Sequence, residues 1–435
     1  MRRKFTKSLT SLVVMAMTLG IAASPLMAAE KMLSLREIKA MAKENNKELQ
    51  ALRTEKGIGE AGRIRAGLYP NPVLEMDGAT GSLTGSSGEQ RIGIGFSQEI
   101  LTGGKRDKRQ AVAEAELVRF EHQLAAAERH LLTSVTTGYF DLFLAEGRRD
   151  LAAKSKELNG QLLQIARERF AAGEIAELDV NLAKVEAARS SGKMIEAERE
   201  IIPLRQHLLS LMGGSVTERL TLAPLPEQGG VTADLADLKT MALQKRPDLQ
   251  AVTAEQHKNA AELTLAETER LPNVTAGATV LWERSETSLG GLSERSNDYL
   301  IGLKLSIPLP VFDRNQAGIR EALARKSSAD IRQQNLRLTI EREVESAYGR
   351  LAAAEETLKV YGQEIVPQLT ENLRLTQEAY RLGEVGILAV IEEQKKFIDV
   401  SEGNLLAQYE RTRALARLEA AVGTEMNILD GGKNE

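Results

Sequence analysis

Ala379-Tyr380-Arg381-Leu382-Gly383-Glu384-Val385-Gly386-Ile387-Leu388-Ala389-Val390-Ile391-Glu392 interrupts an otherwise continuous helical pattern. The same punctuation occurs earlier, as Arg169-Phe170-Ala171-Ala172-Gly173-Glu174-Ile175-Ala176-Glu177-Leu178-Asp179-Val180. In both, an aromatic residue is followed three positions later by Gly-Glu and a β-branched residue, and a new helix begins around Leu-x-Val. Gly173 and Gly383 stand 210 positions apart. Glycine supplies the left-handed conformation in which helices commonly end. Each stretch therefore reads as the tight turn of a long helical hairpin, and the pair as a duplicated plan.

The arms of the hairpins extend outward from these turns. From about Lys105 to Ala171 the pattern is helical and free of proline. At 1.5 Å rise per residue such a helix is roughly 100 Å long, a length typical of coiled coils rather than globular domains. A return helix is expected from about Leu178 to Met212, ended by Gly213-Gly214. In the second half a helix is expected from about Gln316 to Leu382. Its seam is Ile340, Val344, Ala347, Leu351, Ala354, Leu358, Tyr361 and Ile365, and the alternating spacings of four and three are a heptad signature. The last helix reaches Val422, and Gly423 matches Gly213.

Ahead of each hairpin the period changes. Leu35, Ile38, Met41 and Leu49-Gln50-Ala51 begin a helix or helix pair, matched by Leu235, Leu238, Met241 and Leu249-Gln250-Ala251. Leu68-Tyr69-Pro70-Asn71-Pro72 and Leu271-Pro272-Asn273 break these helices, because proline denies helical geometry to the residue before it. Alternation then predicts strands. Leu74 and Met76 share one side of Val73 to Thr80, and Ile92, Ile94 and Phe96 one side of the next. Val274, Ala276, Ala278, Val280 and Trp282 alternate on a third, and Tyr299, Ile301, Leu303, Leu305, Ile307 and Leu309 on a fourth. Gly81 to Glu89 and Ser285 to Asn297 are expected as Gly/Ser-rich loops.

The expected organisation is a leader at 1–28, a first repeat at 29–216 (strands about 72–100, hairpin about 105–212) and a linker at 217–232. A second repeat covers 233–426 (strands about 273–309, hairpin about 316–422), with a tail at 427–435. Arg2, Arg3, Lys4 and Lys7 precede an apolar run from Leu9 to Ala23 and small residues at Ala28 and Ala29, the pattern of a secretory signal peptide cut after Ala28. An uncleaved anchor is the alternative, though the run is short for a membrane span. Removing residues 1–28 takes the formal charge from -4 to -8, and mild acidity argues against a nucleic-acid partner. Charged residues at 27% and aromatics at 4% favour long helices over a thick core. With no cysteine, disulfides and thiolate metal sites are ruled out.

Two strands per repeat cannot bury a sheet face, and four per chain leave open edges. One apolar face and one small or polar face is the pattern of a lipid-facing barrel wall. Closing it requires several chains, and three would contribute twelve strands, an even number within the known range. Trp282 and Tyr299 fall near strand ends, where membrane-interface aromatics belong. An ordinary sandwich sheet is the alternative.

The signal peptide, the duplicated plan, the alternating strand pairs and the Gly-Glu turns together resemble a TolC-like outer membrane efflux factor over essentially the whole mature chain. Phe96-Ser97-Gln98-Glu99-Ile100 followed by Gly103-Gly104-Lys105-Arg106 resembles the heavy-metal (cobalt-zinc-cadmium) subgroup. The resemblance implies a homotrimer with a twelve-stranded β-barrel in the outer membrane of a Gram-negative bacterium and a long α-helical barrel in the periplasm. It implies a passive exit duct for heavy-metal cations in a tripartite pump. The implied partners are a periplasmic adaptor, an inner-membrane transporter of the resistance-nodulation-division type and outer membrane lipid. Gly173, Glu174, Gly383 and Glu384 then form the helical tip that docks the adaptor. Asp179 and Glu392 become candidates for the periplasmic aperture. Their counterparts are apolar, Ala389 for Asp179 and Leu182 for Glu392, so the implied acidic ring is thin. Asp179 and Glu392 also read as solvated helix-start carboxylates favoured by the helix dipole.

No catalytic constellation and no cofactor motif is present. His122, His130, His207 and His257 form neither a His-x-x-x-His nor a His-Glu-x-x-His pair. Gly93-Ile94-Gly95 is too short for a dinucleotide loop, and Gly103-Gly104-Lys105 lacks the Walker spacing. Alternatives are a periplasmic adaptor of such a pump, a secreted coiled-coil protein, or a duct for organic compounds rather than metals.

Overall fold

The computed structural model describes residues 32–86, 88–214, 220–224, 233–290 and 292–424. The expected leader and C-terminal tail lie outside these residues, as does most of the 217–232 linker. In chain order the elements are β1 (Met32–Leu33), α1 (Leu35–Asn45), α2 (Lys47–Gly67), β2 (Val73–Thr80), β3 (Gln90–Ile100), α3 (Lys105–Ala171) and α4 (Glu177–Met212). They continue with β4 (Thr221–Leu222), α5 (Leu235–Lys245), α6 (Pro247–Glu269), β5 (Val274–Leu289), β6 (Leu292–Ser306), α7 (Gln316–Lys359), a π-helical turn (Val360–Ile365), α8 (Val366–Leu382) and α9 (Ile387–Val422).

Two of these elements depart from the sequence reading. The helix expected to run unbroken from Gln316 to Leu382 is interrupted by the π-helical turn. Pro367 has no N–H to give the carbonyl four residues back, and the ladder widens ahead of it, with the Val366 N–H bonding the Tyr361 carbonyl five residues back. The loop expected from Ser285 to Asn297 is instead the extended end of a hairpin. β5 and β6 stay paired out to Leu289 opposite Leu292. Gly290 at φ +58° supplies the left-handed residue that a two-residue hairpin loop needs.

Several helix ends are satisfied by side chains, from the helix itself or from another element. Ser34 and Glu37 form a reciprocal capping box at the start of α1. Asn46, at the α1–α2 corner, donates from Nδ2 to the Leu211 carbonyl at 3.0 Å, near the glycine-terminated end of α4. Arg246, at the α5–α6 corner, donates to the Ala421 carbonyl at 3.1 Å, at the glycine-terminated end of α9. Each helix corner thus plugs the end of a return helix, in the same way in both halves.

The main core is shared by the two halves. Ile38, Val135, Leu142, Leu208 and Met212 pack in one cluster with Leu238, Ile340, Val344, Leu415 and Leu418. Full burial of side chains this size stabilises by about 1.5–3 kcal/mol each. Tyr139, in the same cluster, donates its hydroxyl to the Ala223 carbonyl at 2.9 Å. Burial first, and then the Glu146 charge, pushes its phenol up to about 12.

β2, β3, β5 and β6 form one antiparallel sheet in that order. β1 and β4 make a separate short parallel pair.

Candidate functional site

The two glycine turns have the same hydrogen bonds. Glu174 N–H reaches the Arg169 carbonyl and Gly173 N–H the Phe170 carbonyl, both at 2.9 Å. Glu384 N–H reaches the Ala379 carbonyl at 2.9 Å and Gly383 N–H the Tyr380 carbonyl at 3.1 Å. These are the six-to-one and five-to-two bonds of a Schellman motif. They place Gly173 at φ +77° and Gly383 at φ +83°, where a side chain is strained. The β-branched residues that follow, Ile175 and Val385, fold back onto a second buried cluster that includes Leu162, Ala166, Tyr380, Ile387 and Val390. The recurring motif is thus a helix stop followed by an apolar anchor.

The structure brings the turns together through Arg169, whose role the sequence reading missed. Its Nε donates to Glu174 Oε2 at 2.9 Å and its Nη1 to the Tyr380 carbonyl at 2.8 Å. Its guanidinium carbon lies 5.0 Å from the Tyr380 ring centroid. Phe170 and Tyr380 occupy matching places in the two motifs but differ in burial, at 45% and 2% exposed. Nothing in the motif distinguishes them; the asymmetry arises because Arg169 and α9 cover Tyr380 alone.

Asp179 is half-buried in the first turn of α4, and Glu392 is exposed on α9. No hydrogen bond or ion pair between described residues joins them. Asp179 is electrostatically felt at Tyr380, whose phenol is pushed up by burial first, with the Asp179 charge adding and Arg169 opposing. Glu174 is tied to Arg169, and Glu384 is exposed.

At the other end, the sheet sorts its residues by face. Leu74, Phe96, Ala278 and Leu303 line up across the four strands, as do Met76, Ile94, Val280 and Ile301. The next row is Gly78, Ile92, Trp282 and Tyr299, so the two expected interface aromatics are direct cross-strand partners. Because β5 and β6 extend to Leu289 and Leu292, they lie mid-strand rather than near strand ends. This face is bare: Leu303 is 88%, Ile301 83% and Met76 72% exposed. So broad an apolar surface marks a membrane or protein contact. The opposite face carries Gly93, Gly95, Gly277 and Gly302 among charges. There Arg91 pairs with Glu283 at 3.1 Å, and Lys304 reaches Glu75 at 4.0 Å. The sheet is open, with β2 and β6 as unpaired edges. No described helix is long and apolar enough to cross a membrane.

Among the described residues no group of three or more His, Asp or Glu is placed to hold a metal ion. His122 and His257 line a groove of about 720 Å³ between α3, α6 and α7, with Leu249 and Arg337.

Residues 40–214 and 238–424 match the model of the family described as outer membrane efflux protein. The cobalt-zinc-cadmium resistance protein CzcC of Cupriavidus metallidurans is 24% identical over 370 residues, covering 83% of each chain. The outer membrane protein TolC of Vibrio cholerae is 22% identical over 343 residues, covering 78% of each. The solved structure of CusC superposes with a TM-score of 0.74 at 18% identity, covering 90% of this chain and 92% of that one.

Proposed function

The chain belongs to the outer membrane efflux protein family, and from that premise we propose that it is the passive exit duct of a tripartite pump, closed as a trimer. The observation that carries the proposal is the bare apolar face of an open four-stranded sheet in a chain whose helices turn back at a shared tip. Backbone groups on a sheet edge cannot be left unpaired in lipid. Three copies joined edge to edge would satisfy them and turn the apolar face outward as a twelve-stranded wall.

The helical tip then faces the pump. The Gly173-Glu174 and Gly383-Glu384 turns are the surface for a periplasmic adaptor, behind which stands an inner-membrane transporter of the resistance-nodulation-division type. Asp179 and Glu392 line the aperture. Heavy-metal cations are the substrate class, a reading supported by similarity to a cobalt-zinc-cadmium resistance protein.

Deleting the gene and scoring growth on cobalt, zinc and cadmium salts and on apolar organic toxicants tests the substrate. Sensitivity to the metals alone supports the proposal. Sensitivity to the organic compounds alone replaces it with an organic exporter. Recovery of the protein as a soluble periplasmic monomer removes the duct.

A further inference from the structure

We propose that Arg284 binds a phosphate group of an outer-leaflet lipid, the phosphorylated glycolipid class, with Gln90 and Asn297 beside it. This rests on the membrane reading of the sheet. The row Gly78–Ile92–Trp282–Tyr299 ends the apolar band. The next row on the same face is Thr80–Gln90–Arg284–Asn297. It is polar on all four strands, with one positive charge and no carboxylate. Aromatic rings mark the depth of lipid headgroups, so this row lies at headgroup level or just beyond it. It sits toward the hairpin ends, away from the junctions with α3 and α7, and therefore toward the cell exterior.

The cations of the sheet are otherwise paired. Among the described residues of β2, β3, β5 and β6 they are Arg91, Arg284, Arg295 and Lys304. Arg91 has Glu283 at 3.1 Å, Arg295 has Glu286 at 3.4 Å and Lys304 has Glu75 at 4.0 Å. Among the described residues Arg284 has no carboxylate partner, and its Nε is buried without a hydrogen bond. Glu286, one row further out, is engaged by Arg295. A half-buried guanidinium with no carboxylate partner at headgroup level leaves its outer N–H groups for an anion. A guanidinium fork matches two phosphate oxygens. The amides of Gln90 and Asn297, directly opposite Arg284 on the two neighbouring strands, add donors on either side.

The test uses the full-length protein purified from outer membranes and stripped of lipid. Binding of bisphosphorylated lipid A, of the same lipid without phosphates, and of inorganic phosphate is followed by native mass spectrometry. The wild type is expected to hold the bisphosphorylated form about tenfold more tightly than the phosphate-free form, the worth of one charge-assisted contact. Arg284→Gln removes that preference, Arg284→Lys keeps part of it, and Asn297→Ala weakens it. Equal binding of both lipids by the wild type overturns the proposal whatever the variants do, as does an unchanged preference in Arg284→Gln. Displacement of the lipid by millimolar inorganic phosphate makes this a free-anion site and overturns the lipid assignment. Protein recovered in the soluble periplasm overturns the membrane reading, and this site with it.

Discussion

Arg169 Nη1 donates to the Tyr380 carbonyl oxygen at 2.8 Å, joining the last turn of the outgoing helix in the first half to the last turn of its counterpart in the second. The guanidinium also holds Glu174 and covers the Tyr380 ring. One side chain therefore couples both helix stops.

Arg169→Ala removes all three contacts and leaves the Tyr380 carbonyl without its side-chain donor, a local loss of about 1–3 kcal/mol. Amide exchange should accelerate around residues 162–187 and 373–391 while the cluster around Tyr139 stays protected. Unchanged exchange at the tip would show that the two turns are held by their apolar anchors alone.

Asp179→Ala combined with Glu392→Ala should give a duct of larger conductance and weaker cation preference in planar bilayers. The two residues differ in setting, Asp179 half-buried near Tyr380 and Glu392 exposed. Asp179→Ala alone should therefore also make the Tyr380 phenol easier to ionise. Unaltered conductance in the double variant removes both from the aperture.

The Tyr409 hydroxyl donates to Asp141 across α3 and α9. Burial first, and then the hydrogen bond and charge of Asp141, pushes its phenol up to about 12. The ordinary value is about 10, so the folded state holds this proton more tightly. That contribution is complete below pH about 10 and is lost as pH rises toward about 12. Tyr409→Phe should flatten the fall in unfolding midpoint between those values. A residual slope should remain until Tyr139→Phe is added, because Tyr139 is displaced to the same range. An alkaline limb indifferent to both changes would contradict this.

Arg246 is 5% exposed and is shared by Asp248, Glu343 and the Ala421 carbonyl. Burial pushes the Asp248 carboxyl up, but the Arg246 hydrogen bond and charge, with Arg129, hold it below the usual range. Arg246→Ala leaves Asp248 to Arg129 alone, Glu343 to solvent and the Ala421 carbonyl without this donor, and should cost about 1–3 kcal/mol. Lys154→Ala, which breaks an exposed pair with Glu157, should cost under about 1 kcal/mol. Chemical denaturation of both variants checks the contrast, and equal losses would refute it.

The repeated plan was legible because glycine, proline and alternation are local signals. Gly173 and Gly383 end helices whatever surrounds them, and Leu74, Ile94, Val280 and Ile301 carry their shared face in the sequence itself. Two local signals were nevertheless misread. Pro367 marks the π-helical turn, but the heptad seam running up to Ile365 masks it. Gly290, beside strands paired out to Leu289 opposite Leu292, marks a turn hidden inside a Ser-rich stretch. The Arg169–Tyr380 link and the Arg246 hub were not legible, because each joins residues far apart in the chain. Arg169 sits in the quoted motif, but its partner depends on how the two hairpins pack.

The proposed duct requires sheet edges from different copies to close one wall. Within one chain β2 and β6 are separated by two strands, roughly 14 Å at the usual spacing, beyond the reach of a disulfide. The chain has no cysteine, so paired substitutions report without background. Met76→Cys is combined in turn with Tyr299→Cys, Ile301→Cys, Leu303→Cys and Leu305→Cys, and outer membranes are oxidised and run on non-reducing gels. At least one register is expected to yield a covalent trimer that reverts to monomer on reduction. Monomer alone at every register would contradict it.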